Sequence, residues 1–188
     1  MWGKANFRKK LCLDNIREKR YNDKMKVQEK DVIRELFYHF KQKDIWAYRG
    51  YYPAGFLGSC SAWIEFDFLR ITKKYFVYEY EIKLSVSDFR AEKNKRFKME
   101  LISEGRYPAV LTYVMPEEVY NKVSDEIPEA CGVKTFIGEE WEYLYCPVTR
   151  FLIFKDIKKP SQASKQKIKE KDLIQLLVNQ TYKIQKHL

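Results

Sequence analysis

One hairpin constrains the fold of this chain more than any other stretch. It lies within residues 64–83, where two runs of β-branched and aromatic residues flank a short polar break at residues 72–74. This pattern is typical of two antiparallel strands. Successive side chains alternate between the two faces of a strand, so Glu79, Glu81 and Lys83 share one face of the second strand. The sequence therefore predicts a hairpin with a charged face.

The register of the first strand decides which side chain lies beside Glu81. A shift by one residue would turn the apolar residues of that strand away from the core, so burial fixes the pairing. The favoured register makes one apolar face by setting three residues against three others: Ile64, Phe66 and Phe68 against Leu84, Ile82 and Tyr80. It places Asp67 opposite Glu81 and requires an odd loop, most simply Lys73-Lys74-Tyr75. Two carboxylates and the Lys83 ammonium then converge on one side of the hairpin.

This convergence is the pattern of a metal-dependent site that cleaves phosphodiesters. Such hydrolysis needs an activated water and a screen for the phosphate charge, and hard divalent ions with oxygen ligands supply both. We therefore predict that Asp67 and Glu81 bind Mg²⁺ or Mn²⁺, with Lys83 kept charged by their negative field. The competing interpretation is a solvent-facing strand whose charges pair across the sheet.

Three short motifs resemble the PD-(D/E)XK nuclease superfamily, and in particular its MmcB-like branch of DNA-repair and phage-type proteins. They are Asp67, Glu81-Ile82-Lys83 and Ser87-Asp88-Phe89. Residues 127–133, Ile-Pro-Glu-Ala-Cys-Gly-Val, also resemble a downstream Pro-Glu-x-x-Gly segment of that branch. The resemblance covers roughly residues 28–133.

The resemblance implies a fold and further site roles. The fold is α/β (α+β) with a restriction-endonuclease-like core, in which helices flank a central mixed β-sheet. The Ile82 carbonyl would join the metal ligands, and Lys83 would orient the attacking water or stabilise the developing phosphate charge. Related nucleases often add a glutamate from the preceding helix.

That preceding helix is predicted over residues 28–43 from an apolar stripe at the helical period. The stripe consists of Val32, Ile33, Leu36, Phe37 and Phe40. Glu29 lies one turn before Ile33 on the same face. It is either a favourable acid in the first helical turn or, as the resemblance implies, an additional metal ligand.

A second helix is predicted from about residue 85 to 103. Ser85 or Ser87 caps it, and Asp88 suits its first turn. Its inward residues are Phe89, Phe97, Leu101 and Ile102. Its other side is basic and directly follows the acidic pair, so we predict that it holds the DNA backbone through Arg90, Lys93, Lys95, Arg96 and Lys98. The alternative is an ordinary solvated face.

We divide the whole chain into three parts. Residues 1–27 are a basic segment, either a loosely packed helix or a flexible arm. Residues 28–160 are the nuclease-like core, and residues 161–188 contain a C-terminal amphipathic helix. Within the core we predict a loop at 44–61, strands at 109–115, 133–137 and 143–146, and a helix at 116–123. The C-terminal helix, at 165–185, packs on the sheet, extends the basic surface or pairs with another copy. Its predicted stripe is Leu173, Ile174, Leu177, Val178 and Ile184.

Net charge and amino-acid composition indicate which classes of partner and metal this chain binds. The net charge of +10 favours an anionic partner, and DNA is the first candidate. The four cysteines form no Cys-x-x-Cys pair and there are two histidines, which argues against zinc. The sequence shows no signal peptide or membrane span, so we expect a cytoplasmic protein without a membrane partner. A homodimer is compatible with the sequence, which leaves the oligomeric state open.

Together these features predict a metal-dependent DNA endonuclease of DNA repair, recombination or phage DNA metabolism. One alternative is a catalytically silent DNA-binding or repair-accessory protein on the same fold. Another is an unrelated α+β interaction protein whose positive charge aids solubility.

Overall fold

The computed structural model describes residues 16–20, 27–40, 44–53, 63–92, 95–107, 109–143, 146–161 and 167–186. The strands in these ranges are β1 Ile16–Arg20, β2 Ile45–Pro53, β3 Trp63–Ile71, β4 Val77–Ile82, β5 Val110–Pro116, β6 Gly132–Tyr143 and β7 Cys146–Lys158. The α-helices are α1 Glu29–His39, α2 Val86–Glu92, α3 Arg96–Ser103, α4 Glu117–Val123 and α5 Glu170–Lys186, and a 3₁₀ turn at Ser124–Glu126 follows α4.

The strands form one mixed sheet in the order β2-β3-β4-β5-β6-β7. The pairs β2/β3, β3/β4 and β6/β7 are antiparallel, whereas β4/β5 and β5/β6 are parallel. Strand β1 pairs with the far end of β6. The predicted class, α/β (α+β) with a central mixed sheet flanked by helices, is confirmed.

The β3–β4 hairpin has the predicted register and loop. Phe68 pairs with Tyr80, and Ile71 pairs with Val77. The Thr72 N–H donates to the Phe76 carbonyl at 3.0 Å, so the loop is Lys73-Lys74-Tyr75. Tyr75 has a φ of 66°, and the Tyr75 N–H donates to the Thr72 carbonyl at 2.8 Å. A turn closed by a left-handed residue is a common three-residue hairpin.

The predicted single apolar face of the hairpin is wrong in one respect. Phe68 lies in the core under α1, but Ile64 and Phe66 lie in the core on the opposite face. Strand β3 therefore changes its facing at Asp67. The paired strand β2 is distorted at the same place, where Arg49 has a φ of 41°. The β3–β4 pairing also ends there, at Phe68 and Tyr80, so Asp67 lies where the two strands separate.

Two apolar cores hold the helices against the sheet. On one face, Val32 and Leu36 of α1 are 0% exposed and pack against Phe68 and Ile82. The opposite face is covered by the other four helices, through Phe89, Leu101, Val119, Val123, Leu173 and Leu176. Apolar area removed from water is the main force that joins such layers.

Several predicted boundaries are wrong. The helix expected over 85–103 is two helices, α2 and α3, and the loop expected at 44–61 contains β2. Aromatic residues favour strands, which accounts for β2. The turn expected between strands at 137 and 143 is part of β6, because β7 pairs along that length. Five residues of the N-terminal segment form β1, and its remaining residues up to 26 lie outside the described ranges.

The helix predictions are otherwise confirmed in outline, although Phe97, which was predicted to face inward, is 40% exposed. Helix α1 ends at His39, and its Phe37 is 49% exposed rather than buried. Helix α5 buries Leu173 and Leu176, whereas Ile174, Leu177 and Val178 of the predicted stripe are exposed. The structure does not describe the side chain of Ile184. Among the described helices, none is long and apolar enough to cross a membrane.

Candidate active site

The charged face of β4 is buried. Glu79, Glu81 and Lys83 lie on the same face as Val77 and are 0%, 2% and 5% exposed. Helices α2 and α3 cover this face, as the burial of Phe89 and Leu101 shows. The interpretation as a solvent-facing strand is therefore wrong. Buried charges are costly unless they are paired, and these are paired with one another and with helix residues.

Asp67 reaches the strand that carries Glu81. Its Oδ2 accepts the backbone N–H of Ile82 at 2.8 Å. Burial, and next the Glu81 carboxylate, raise the pKa of Asp67 to about 7, while the Ile82 N–H opposes the shift. The predicted pairing of Asp67 directly opposite Glu81 is not present, because the β3–β4 ladder ends at Phe68 and Tyr80. Asp67 instead contacts β4 through the Ile82 N–H, next to Glu81.

The Glu81 carboxylate is bound by two lysines. Lys83 Nζ lies 2.8 Å from Oε1, and Lys98 Nζ lies 2.8 Å from Oε2. Burial favours a higher pKa, but the two ammonium groups outweigh it and lower the pKa of Glu81 to about 2. Glu81 therefore remains ionised at neutral pH.

Lys83 is a charged donor. Besides Glu81, it donates to Glu92 Oε2 at 3.0 Å. Burial favours a lower pKa, but Glu81 and Glu92 outweigh burial and raise the pKa of Lys83 above its ordinary value. The side chain can donate hydrogen bonds near Glu81, but it does not act as a base at neutral pH.

The prediction that Lys98 faces DNA is wrong. Its side chain is 5% exposed, and its Nζ lies 2.9 Å from Glu79 Oε1, 2.8 Å from Glu81 Oε2 and 2.9 Å from Glu92 Oε1. The Glu92 contact is an ion pair without hydrogen-bond geometry, and Glu92 Oε1 has no hydrogen-bond partner within the described ranges. Three carboxylates therefore enclose the ammonium and withhold it from any ligand at the surface.

Sequence reasoning missed three members of this cluster, namely Glu79, Tyr107 and Glu92. Glu79 shares the facing of Glu81, and its Oε2 accepts the Tyr107 hydroxyl at 2.7 Å. Glu92 is 2% exposed. One signal was present in the sequence: Glu92, Lys95 and Lys98 follow one another at three-residue steps, which places successive members near each other on helical turns.

The other predicted DNA contacts are distributed over the surface. Arg90 is exposed and donates to Glu126 at 2.8 Å. Lys95 is 40% exposed and lies 3.2 Å from Glu92 Oε2 and 3.3 Å from Glu65. Arg96 is exposed, and Lys93 lies outside the described ranges. Lys95 is thus the described lysine that links the buried cluster to solvent.

The predicted helix cap lies beside the cluster. Ser85 Oγ accepts the Asp88 N–H at 3.1 Å, and Asp88 Oδ2 accepts the Leu84 N–H at 3.2 Å. Of the two candidate serines, Ser85 is therefore the cap, and Ser87 Oγ shares a hydrogen bond with Ser85 Oγ at 3.0 Å. This cap fixes the start of α2 directly after Lys83.

Glu29 is paired with Arg49. Its Oε1 accepts Arg49 Nε at 2.7 Å, and its side chain is 31% exposed. The charge of Glu29 also contributes to the raised pKa of Asp67. Glu29 therefore lies on the Asp67 side of the site, with an arginine bound to it.

The donor set suits a hard divalent cation in part. Carboxylate and carbonyl oxygens are the ligands that Mg²⁺ and Mn²⁺ prefer, and Asp67, Glu81 and the Ile82 carbonyl offer them. Burial first and the Glu81 carboxylate next raise the pKa of Asp67, and a cation would favour the ionised form of this carboxyl. Each Glu81 oxygen already holds a lysine. Across the described ranges, no group of three or more His, Cys, Asp or Glu side chains is arranged to hold a metal ion.

Comparisons with known proteins leave the function open. No protein-family model matches the chain, and a search of curated proteins finds no match. Among solved structures, the chain is similar to the SPO1766 protein of unknown function from Silicibacter pomeroyi. The TM-score is 0.47 and the identity 13%, over 87% of this chain and 90% of that one. A likeness at this level carries no inference about function.

Proposed function

We propose that this protein is a Mg²⁺- or Mn²⁺-dependent deoxyribonuclease that hydrolyses phosphodiester bonds in DNA. The observation that carries the proposal is the hydrogen bond from the Ile82 N–H to Asp67 Oδ2, at 2.8 Å. It joins an aspartate on β3 to the middle of Glu81-Ile82-Lys83 on β4. This juxtaposition supports the resemblance to the PD-(D/E)XK superfamily.

Each site residue has a role that its environment supports. Asp67, Glu81 and the Ile82 carbonyl would hold the cation, which when bound polarises the phosphate and lowers the pKa of a water. Lys83 is protonated, so it donates a hydrogen bond to the attacking water or to the phosphoryl oxygen that gains charge. A preorganised donor of this kind is most effective in a site closed to water.

The order of elements supports the restriction-endonuclease-like core that the resemblance implies. Helix α1 precedes three antiparallel strands, β2 to β4, and helices α2 and α3 lead to β5, which lies parallel to β4. Arg90 and Arg96 are exposed on those helices, and exposed Lys95, just before α3, contacts Glu92 of the acidic cluster. Contacts from such residues to phosphates position a nucleic acid without reading its sequence.

A second candidate is a catalytically silent DNA-binding or repair-accessory protein. The observation that favours it is the pairing of both Glu81 oxygens with lysines at 2.8 Å. These contacts hold the carboxylate without a cation, and a cation reaches Oε1 only in competition with Lys83.

Plasmid nicking in Mg²⁺ and in Mn²⁺ tests the proposal through two matched variants. Asp67→Asn keeps an oxygen that accepts the Ile82 N–H but removes the charge. Asp44→Asn is the control, because Asp44 is also largely buried (13% exposed) and accepts Arg70 Nε at 2.6 Å on the other side of the hairpin.

We expect Asp67→Asn to lose about 10²–10³ in cleavage rate, while Asp44→Asn cleaves like the wild type. Equal cleavage by Asp67→Asn and wild type would overturn the assigned site. Salt-dependent gel shifts distinguish the second candidate, since DNA binding without cleavage in either metal is its signature.

A further inference from the structure

The Lys98 ammonium occupies a cradle of carboxylates that come from two elements. Glu79 and Glu81 belong to β4 and Glu92 to α2, and the three oxygens lie 2.8–2.9 Å from Nζ. Lys98 itself belongs to α3. All four side chains are at most 5% exposed, so the contacts are shielded from solvent.

This cradle determines how Glu81 presents its oxygens. Lys98 binds Oε2, and Lys83 binds Oε1. Lys98 is additionally anchored by Glu79 and Glu92 at 2.9 Å, whereas Lys83 is additionally anchored by Glu92 at 3.0 Å and more distantly by Asp88 at 4.0 Å. Rotation of the Glu81 carboxylate would break both lysine contacts together. Oε1 also lies 3.8 Å from Lys95 Nζ, whose side chain is 40% exposed. Oε1 is therefore on the side of the carboxylate that a ligand from solvent reaches, in competition with Lys83 and Lys95.

We propose that Lys98 is a positioning residue for the cation of the candidate site. By holding Glu81 Oε2, it fixes the carboxylate so that Oε1 is the oxygen for which a divalent cation competes with Lys83 and Lys95, although Lys98 does not touch that cation. The inference rests on the proposed function for the identity of the site. Partners that orient a metal ligand in this way commonly change metal affinity by about 10–100-fold when removed.

A single substitution cannot isolate this role, because Lys98 also balances the charge of Glu79. Removing the ammonium alone makes the site more negative and so attracts a cation more strongly. The double variant Lys98→Met/Glu79→Gln removes one positive and one negative charge. The introduced amide oxygen can still accept the Tyr107 hydroxyl, which lies 2.7 Å from Glu79 Oε2.

The chain offers a matched control. Lys134 on β6 is also 5% exposed, and its Nζ lies 2.5 Å from Asp156 Oδ1 on β7. The double variant Lys134→Met/Asp156→Asn removes a buried lysine and its acid without touching the cluster.

The experiment measures Mn²⁺ binding to each metal-free protein without DNA, by electron paramagnetic resonance of free Mn²⁺. Circular dichroism and thermal unfolding establish that each variant is folded. We expect the Lys98/Glu79 variant to bind Mn²⁺ about 10–100-fold more weakly than wild type, and the control variant to stay within about twofold. If the methionine version does not fold, Lys98→Gln/Glu79→Gln replaces it, with the same expected loss because the shorter side chain does not reach Glu81.

Each outcome decides the matter. Binding by the folded Lys98/Glu79 variant as tight as wild type overturns the inference alone, and Lys98 then only neutralises Glu79. A wild type that binds no Mn²⁺ without DNA overturns the inference, and the proposed function falls with it only if plasmid nicking in Mg²⁺ and Mn²⁺ is also absent. Asp156 is 69% exposed, so the control matches the buried lysine and not a buried acid. A loss of similar size in the control variant also overturns the inference, since the effect would then follow from removing any buried lysine with its acid partner.

Discussion

Removing the Lys98 ammonium by Lys98→Met is expected to destabilise the protein strongly. The lysine is 5% exposed and contacts three carboxylates at 2.8–2.9 Å. Glu81 keeps Lys83, and Glu92 keeps Lys83 and Lys95. Glu79 is 0% exposed and loses the ammonium that offsets its burial. Most of the cost therefore falls on Glu79.

The size of the effect follows from that one carboxylate, which keeps the Tyr107 hydroxyl but loses the Lys98 ammonium. Removing one partner of a buried ion pair costs about 3–5 kcal/mol. Burial raises the pKa of Glu79, and Lys98 is the main influence that opposes burial, so the loss of Lys98 leaves a buried carboxyl without that compensation. For a chain of 188 residues, the melting temperature falls by about 2–4 °C per kcal/mol, or about 6–20 °C in all.

Urea and thermal unfolding in EDTA measure this loss without metal. Lys95→Met is the matched control, because Lys95 touches the same cluster but is 40% exposed, and we expect it to cost about 1 kcal/mol or less. Adding Glu79→Gln to Lys98→Met should recover most of the stability. A Lys98→Met protein within about 1 kcal/mol of wild type, with no gain from Glu79→Gln, would refute the reasoning.

Three further predictions test single contacts. Tyr107→Phe removes the hydroxyl that donates to buried Glu79 and should lower the free energy of unfolding by about 1.5–3 kcal/mol, measured in urea. Tyr75→Gly should raise the free energy of unfolding by about 0.5–1 kcal/mol. Tyr75 has a φ of 66°, which glycine adopts without strain, and it is 46% exposed. A loss of stability in this variant contradicts the prediction. Burial raises the pKa of the Cys131 thiol to about 12, so iodoacetamide at pH 8 should spare Cys131 in the native protein and modify it in urea, as read by peptide mass spectrometry.

The hairpin was predictable because its constraints are local. Burial of alternate residues fixes the register, and the register fixes a loop of three residues, Lys73-Lys74-Tyr75. The structure has both. The change of facing at Asp67 was not predictable from β3 alone. It coincides with the unusual backbone of Arg49 on β2, and alternation within one strand contains no information about its neighbour.

Longer-range effects explain the errors elsewhere. Gly138 and the acids after it indicate a turn by composition, but Gly138 pairs with Leu152 of β7 inside a long antiparallel pair. Pairing along the whole strand outweighs the local turn preference. Leu176 was left out of the predicted stripe of α5, yet it is 1% exposed, because the face that a helix buries depends on where it packs as well as on its pattern.

The burial of Lys98 was the least predictable feature and the most informative one. Lysines are almost never fully buried unless they are paired, so a basic residue on an amphipathic helix is assigned to the surface. Burial here requires carboxylates from β4 and α2 to meet one residue of α3. That meeting depends on the packing of both helices on the sheet. The three-residue steps from Glu92 to Lys98 place those helix residues near each other, but they do not indicate that Glu79 and Glu81 of β4 join them.

Stability alone does not account for such a cluster. Apolar residues of similar volume often replace a buried ion pair without loss, or with a gain of about 1–4 kcal/mol. The neighbouring residues Val77, Phe89 and Tyr113 show that this layer accepts apolar side chains. Charges fixed in place before a ligand arrives are instead what a site for charged substrates needs.

Asp67 differs from the other buried acids of the site. Lysines compensate Glu79, Glu81 and Glu92, whereas Asp67 has no ion pair with a described residue and its pKa is raised to about 7. Asp67 is therefore the carboxylate at which an added cation gains most, and the one whose charge the nuclease proposal depends on.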